Sequence, residues 1–513
     1  MGIIYPSIVL VAGIVFALLW AVFGQKRLMR NGVPLRRPPG TLPLAGNGIN
    51  FLRDRQKLFD WFTRCEQLYG HETLQISVPS LPPGVIISDP RNLEYVFKNE
   101  GIFAKGEFFK RRSRDLFGNG IINVDGDLWK IQRKAGLSFL NTSNLRVLTD
   151  VALPQYLSHS VAFLKSKTDK GIIDLQAVFH ELTTQLMGKM AYNMEMHAED
   201  EFGLAFDDAS GATAERFQNP LWFVTELLTG VRLRNSISTV KTFGRTIVSS
   251  AMADRKSRPQ PENQVPDDAS KGRLDRISGS LIQSFLDSIG DEQLVADAAL
   301  NYLSAGKDTT AQALTWTFYL LMKHPEVVAK IREEVDRVTE GSEITLDKAI
   351  AERGNPNSMP YVSAVFFEAL RIFPPIPFEI KQAMQATTLP DGTFLPQNSV
   401  VVWCTWAMNR SRATWGPDVD EFRPERWLVG GKVTNKSASE FPVFNGGPRT
   451  CLGKKMAEII AVQVIATVAG LFDCVRVDNS TRVSKSSLTL PMKDGLPCFL
   501  RHRAVVPKQS SLF

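Results

Sequence analysis

Near its C-terminal end the chain reads "FNGGPRTCLG", from Phe444 to Gly453, just ahead of a long run with helical periodicity at 452–472. No other stretch constrains the fold as tightly. Gly447 and Gly453 permit close backbone approach, Pro448 stiffens the loop, and what the loop delivers is one sulfur, that of Cys451. A helix starting directly after it sets the sulfur against free N–H groups and the positive end of a helix dipole, which favours thiolate over thiol. A thiolate held in this way is a strong metal ligand, and amides aimed at it would tune the metal. Taken alone, Cys451 has a more ordinary reading as an inert buried cysteine.

The rest of the chain narrows the setting. With 513 residues it can bury a large core. Its formal charge is +7, yet Lys26, Arg27, Arg30, Arg36 and Arg37 all precede residue 38, where there is no acid. The remainder carries 55 basic against 53 acidic residues, so the basic character is local and argues against nucleic-acid binding. Five scattered cysteines, an odd number with no CxxC, point to a reducing compartment. The six histidines show no HxxH or HExxH spacing, which argues against a zinc site.

Residues 3–24, "IIYPSIVLVAGIVFALLWAVFG", contain no charge. At roughly 1.5 Å per residue such a helix crosses a hydrocarbon core of about 30 Å. No cation precedes it and five follow, so the positive-inside rule leaves the bulk of the protein in the cytosol. A cleaved signal peptide fits less well, because the basic n-region is missing. The expected organisation is a single N-terminal transmembrane anchor at 1–24, a basic and proline-rich hinge at 25–45 acting as a stiff spacer, and a catalytic domain at 46–513.

Within that domain "ETLQISV" and "GVIISD" predict a hairpin, Asp89-Pro90 predicts a capped helix start, and helical periodicity dominates to about residue 380. The polar stretch Arg255–Arg273 predicts a surface loop, and "NSVVVWCTW" a strand. The fold class is mainly α with small β-sheets. Three further patterns carry chemistry. "AGKDTT", Ala305–Thr310, sits inside a helical run from about Asp291 to Lys323; small Ala305 and Gly306 would admit a flat ligand, while Asp308 and Thr309 put a carboxylate and a hydroxyl where neither helps a helix. Glu368 and Arg371 share one helical face at i, i+3, with Pro374-Pro375 ending the helix and "FRPERW", containing Arg426, further on. Trp129 and Arg133 lie one turn apart in "DLWKIQRKAG".

Phe444-x-x-Gly447-x-Arg449-x-Cys451-x-Gly453 resembles, at every fixed position, the haem-binding signature of the cytochrome P-450 family, and the other patterns follow in that family's order along essentially the whole chain. The resemblance implies a cytochrome P-450 fold with haem b, Cys451 as axial ligand to the iron, Arg449 paired with a propionate, and Phe444 beside the sulfur. It implies that Trp129 and Arg133 contact propionates, that Asp308 and Thr309 serve proton delivery during oxygen activation, and that Glu368, Arg371 and Arg426 form a structural triad. Segments such as "LFGNGIINVDGDLWKIQRKA" look similar to the alkane and fatty-acid ω-hydroxylase branch of fungi and plants.

By the same analogy the substrate pocket is lined by Phe117, Ile121, Tyr302, Ala305, Ile376, Phe378, Leu488 and Leu490, mostly apolar residues that suit a lipid-like substrate. The expected activity is NADPH- and O2-dependent hydroxylation of a medium- or long-chain fatty acid or alkane at the endoplasmic reticulum membrane, in a single-pass protein. Electrons would come from a separate NADPH-cytochrome P-450 reductase, with cytochrome b5 as a second donor, and Lys130, Arg133, Lys134, Lys454 and Lys455 would form the face that steers the reductase. Competing readings are a tailoring monooxygenase of secondary metabolism, a reductase-independent haem-thiolate isomerase or dehydratase, and a membrane-anchored haem protein without catalysis.

Overall fold

The structure is a computed structural model that describes residues 4–23, 27–43, 45–79, 81–257, 274, 277–340 and 345–503. The helices that build or brace the site are, in chain order, α1 (Ile4–Phe23), α2 (Arg55–Tyr69), α3 (Pro90–Lys98), α4 (Gly106–Phe117), α5 (Gly126–Phe139), α6 (Leu175–Met187) and α7 (Glu201–Gln218). They continue with α8 (Glu292–Leu321), α9 (Pro360–Ile372) and α10 (Lys454–Leu471). The strands of the two larger sheets are β1 (Leu74–Ile76), β2 (Gly84–Ile86), β3 (Phe103–Ala104), β4 (Ile172–Asp174), β5 (Phe378–Ala383), β6 (Val400–Cys404), β7 (Phe472–Arg476) and β8 (Pro497–His502). Helices dominate and the sheets are small, as the sequence predicts.

Local chemistry explains the boundaries. Asp89 accepts the Arg91 N–H with Pro90 at the first helical position, so α3 starts where the cap and the fixed proline φ agree. Asp291 likewise caps α8 by accepting from the Leu294 N–H. The predicted hairpin is β1 against β2, Leu74 opposite Ile86, and it joins a five-stranded sheet in the order β1-β2-β6-β5-β3. There β6 runs parallel to β2 and antiparallel to β5, with Val400 opposite both Gly84 and Gln382. A second sheet has the order β7-β8-β4. Of the predicted polar loop, 258–273 lie outside the described residues, and 255–257 form the end of a helix (Val231–Ser257).

α1 is a 20-residue helix without a charged residue. Its side chains are described over 9–20, where all are exposed. Among the described residues no helix is long and apolar enough to cross a membrane. The proline-rich stretch expected as a spacer is laid against the body instead of standing off it. Leu28 and Leu35 are buried with Val85, Ile87 and Trp403. The Leu28 N–H donates to Gln75 Oε1 at 3.1 Å, and the Gln75 N–H donates to the Arg36 carbonyl at 2.8 Å. Burial of Leu28 and Leu35, with these hydrogen bonds, fixes it there.

The Glu368–Arg371–Arg426 triad is assembled at the base of α9. Arg371 Nε and Nη2 donate to the two Glu368 oxygens at 2.9 and 2.8 Å, and Arg426 Nε donates to Glu368 Oε1 at 2.9 Å. Trp427 Nε1 adds a further bond to Glu368 Oε2 at 2.9 Å. The remaining Arg371 N–H groups reach the carbonyls of Asn409, Val419 and Glu421 at 2.8–2.9 Å. Every guanidinium donor is therefore used, and both Glu368 and Arg371 are 0% exposed. Removing one partner leaves a buried charge uncompensated, so Glu368→Gln is expected to cost about 3–5 kcal/mol. Chemical unfolding should show a lower midpoint for this variant, with Lys432→Gln, an exposed residue of a two-residue strand, as the control shifting it by less than about 0.5 kcal/mol. Equal midpoints for the two variants would show that the triad carries no stability.

Candidate functional site

The loop before α10 is closed by its own backbone: the Cys451 N–H donates to the Phe444 carbonyl at 2.7 Å and the Thr450 N–H to the Gly447 carbonyl at 3.1 Å. It is pressed against the end of α3. Gly447 has φ of +61°, and a Cβ there would lie 2.2 Å from the Phe97 carbonyl oxygen. One at Gly446 would lie 2.2 Å from the Phe97 ring, so only glycine allows this approach. At Gly453 a Cβ would meet nothing but the Cys451 sulfur, at 3.9 Å, which leaves room beside that atom.

Of the five cysteines Cys451 alone is exposed. Protein nevertheless packs closely around it. Burial pushes its thiol above the ordinary range; the Gly453 and Lys454 N–H groups and the charges of Arg133 and Lys454 act the other way. A cation bonded to the sulfur would tip that balance to thiolate. Cys65, by contrast, is deeply buried and pushed up to about 12.

Helix α5 supplies the flank expected from the sequence. Arg133 Nη1 donates to the Thr450 carbonyl at 2.6 Å, one residue before the sulfur. The Arg449 guanidinium stacks 4.1 Å from the Trp129 ring centroid, and that of Arg133 lies 5.7 Å from it. Arg449 is itself held by two carboxylates, donating from Nε to Glu100 at 2.6 Å and from Nη2 to Asp125 at 3.0 Å, and from Nη1 to the Val124 carbonyl at 3.0 Å. Glu100 and Asp125 were not foreseen, and neither was Lys381 on β5. Lys381 is 4% exposed, and no ion pair joins it to a carboxylate among the described residues. Burial, reinforced by Lys105 and Arg449, pushes its pKa down to about 7. Its trace in the sequence is a lone lysine in "FEIKQA", which strand periodicity cannot tell from an edge lysine.

Helix α8 forms a further wall. Almost every residue of it is buried, but Ala305 is exposed and Thr309, one turn on, is half-buried. Thr309 Oγ1 donates to the Ala305 carbonyl at 2.8 Å. Gly306 does not widen that accessible strip. It faces α6, where a Cβ would lie 2.6 Å from Met187 Sδ, so it is small for helix packing. Asp308 also points away from the Thr309 hydroxyl: it is buried, with Lys307 Nζ 2.6 Å and His180 Nδ1 3.8 Å from Oδ1. The two residues expected to act together thus lie on different faces. The Tyr302 hydroxyl donates to the Gln132 carbonyl at 2.9 Å, tying α8 to α5. Asn301 and Asp297 pin the loop of Phe117 and Ile121: Asn301 Nδ2 donates to the Phe117 carbonyl at 2.8 Å, and Asp297 accepts the Asn119 N–H at 2.8 Å.

An apolar cleft of about 150 Å3, partly open to solvent, lies between the five-stranded sheet, α2, α4 and α7. Phe108, Phe109, Phe217, Phe378, Ile380 and Leu488 line it. Of the residues expected in a pocket it gathers Phe378 and Leu488, and not Phe117, Ile121, Tyr302, Ala305, Ile376 or Leu490. Leu490 is a core strut. Its N–H donates to Gln312 Oε1 and its carbonyl accepts from Trp316 Nε1, both at 2.8 Å.

Comparison with known proteins bears on what this site does. The family profile described as Cytochrome P450 matches residues 37–498. Cytochrome P450 86B1 of Arabidopsis thaliana is 31% identical, over 94% of this chain and 88% of that protein. Cytochrome P450 94A1 of Vicia sativa is 28% identical, over 91% and 90%. Cytochrome P450 monooxygenase cyp1 of Mycosarcoma maydis is 31% identical, over 89% and 74%. These relatives come from plants and a fungus.

The Lys307–Asp308–His180 cluster yields a pH dependence. Burial lowers the His180 pKa, with Asp308 opposing it. A histidine whose folded pKa lies below its unfolded value, about 6.5, binds fewer protons when folded. Stability therefore falls as the pH drops below about 6.5. Replacing His180 with Gln removes this term. Between pH 7.5 and 5.5 the wild type is expected to lose more of its unfolding midpoint than His180→Gln does; an identical loss in both would contradict it.

Proposed function

The chain belongs to the cytochrome P450 family, oxygen-incorporating enzymes that use haem, O2 and NADPH electrons supplied by a reductase, and from that premise we propose that it hydroxylates a medium- or long-chain fatty acid. The setting of Cys451 carries the reading. One sulfur is held by its loop at a helix N-terminus, closely packed by protein, and is flanked by the half-buried cations Arg133 and Lys454.

These residues fit a haem. Cys451 would hold the haem iron through its sulfur, with Phe444 nearby and Gly447 and Gly453 leaving room for the loop and the sulfur. Arg449, Arg133 and Trp129 would hold its anionic edge, joined by Lys381, a buried lysine with no carboxylate ion pair among the described residues. Bound there, haem supplies oxygen activation and insertion of one oxygen atom into a C–H bond. The chain's own residues do the rest. Exposed Ala305 leaves the α8 wall low where substrate approaches. Thr309 Oγ1 offers a hydroxyl that exchanges its bond to the Ala305 carbonyl for one to the reacting oxygen. Asp308 takes protons from the Lys307 and His180 side and, by turning from Lys307 Nζ, passes them toward Thr309. The Glu368–Arg371–Arg426 triad is structural and braces the cysteine side.

The substrate class follows from the cleft, whose walls are almost wholly apolar, together with the resemblance to ω-hydroxylases. The uncharged N-terminal run, followed by five cations, supports a single-pass anchor in the endoplasmic reticulum membrane with the 46–513 domain in the cytosol.

Incubating the purified protein with dodecanoate, NADPH, a P450 reductase and oxygen-18 gas is expected to yield hydroxydodecanoate carrying one labelled oxygen. Failure across saturated fatty acids, or product formed without NADPH, would overturn the reading. Lys130, Lys134 and Lys455 are exposed and Lys454 is half-buried, 3.9 Å from Glu458. As the reductase-facing patch, the double variant Lys454→Glu/Lys455→Glu is expected to slow reductase-driven turnover several-fold while peroxide-driven turnover persists; equal loss in both assays would refute it.

A further inference from the structure

The apolar cleft contains one feature its proposed role does not explain. Arg55, the first residue of α2, is the only charged group lining it among the described residues. Arg55 is 8% exposed. Its Nη2 donates to the Thr489 carbonyl at 2.8 Å and its Nη1 to the Ser487 carbonyl, while Nε is buried and has no hydrogen-bond partner. No carboxylate pairs with it among the described residues, and the adjacent Asp54 is engaged by Lys57 at 2.9 Å. The other buried arginines differ. Arg216 is gripped by Asp115 at 2.7 Å and by Glu226 at 2.5 Å, and Arg371 by Glu368 at 2.8 Å. Arg112 and Arg410 also lack a carboxylate, but neither lines the cleft.

Burying a cation without an anion is costly. Burial pushes the Arg55 pKa down to about 10, so the group still carries its charge at neutral pH. Two carbonyls fix the outer nitrogens, which orients the guanidinium of this cleft-lining residue and leaves its positive charge without an anion among the described residues. A carboxylate accepts charge-assisted hydrogen bonds from such a group.

We propose that Arg55 anchors the carboxylate of a long-chain acid whose apolar tail lies along Phe108, Phe109, Phe217, Phe378 and Leu488. The assignment rests on the reading of the chain as a hydroxylase of aliphatic substrates and sharpens it, because it selects acids over the alkanes and alcohols of the same length.

Isothermal calorimetry on the full-length, haem-loaded protein at pH 7.5 tests this with dodecanoate and dodecanol. Dodecanoate is expected to bind the wild type more tightly. Arg55→Gln is expected to weaken dodecanoate by roughly tenfold to a hundredfold, as for the loss of a charge-assisted bond, with dodecanol changed less than twofold. Arg55→Lys, which keeps the charge, should retain part of the preference. Circular dichroism melting checks that the variants fold. Equal weakening of both ligands in both variants would make Arg55 a packing residue, overturning the proposal while the aliphatic substrate class stands. Unchanged dodecanoate affinity in Arg55→Gln would also overturn it. A wild type that binds neither ligand would remove the proposal and the aliphatic reading together.

Discussion

The site depends on where one sulfur atom is held. Cys451 is fixed from three directions: its own N–H on the Phe444 carbonyl, the Arg133 guanidinium on the neighbouring Thr450 carbonyl, and the start of α10 behind it. The loop reaches that position only because Gly446 and Gly447 lie against Phe97 without side chains. Rigidity here has a chemical consequence. Two amides and two cations oppose burial, which still holds the thiol above its ordinary range, so a bound metal cation meets a ligand that is already aimed and that the metal's own charge would convert to thiolate.

Around that atom the protein concentrates buried charge in two very different ways. The Glu368 triad is closed, with every donor of Arg371 matched by an acceptor, and it braces the backbone between Asn409 and Glu421. The Arg449, Lys105 and Lys381 region is open-ended, since its acids, Glu100, Asp125 and Glu379, leave Lys381 unpaired. A closed network stabilises a fold; a cationic surplus invites an anion. Arg55 repeats the second pattern in the cleft, away from the cysteine. The same physical signature therefore recurs beside the cysteine loop and in the cleft.

Much of this was legible in the sequence, for local reasons. The caps at Asp89 and Asp291, the i, i+3 pair of Glu368 and Arg371, and the glycines before Cys451 each encode their geometry within a few residues. What stayed hidden depends on the partner across space. Gly306 reads as room for a ligand until α6 brings Met187 to it. Asp308 reads as a companion to Thr309 until the helix turns it toward His180. Arg55 sits in "RDRQKLFDW", which resembles a solvated charge run; only the Ser487–Thr489 segment, more than four hundred residues later, buries it. The proline-rich strip misled in the opposite direction, since its leucines pack against the sheet.

The most direct test of thiolate ligation is the absorption spectrum of the reduced protein under carbon monoxide, comparing wild type with Cys451→Ser and with Cys404→Ser, a buried cysteine away from the loop. The wild type and Cys404→Ser should both show the long-wavelength Soret band that a thiolate ligand produces, and Cys451→Ser should lose it. Persistence of that band without the sulfur at 451 would contradict the assignment of the axial ligand and everything built on it.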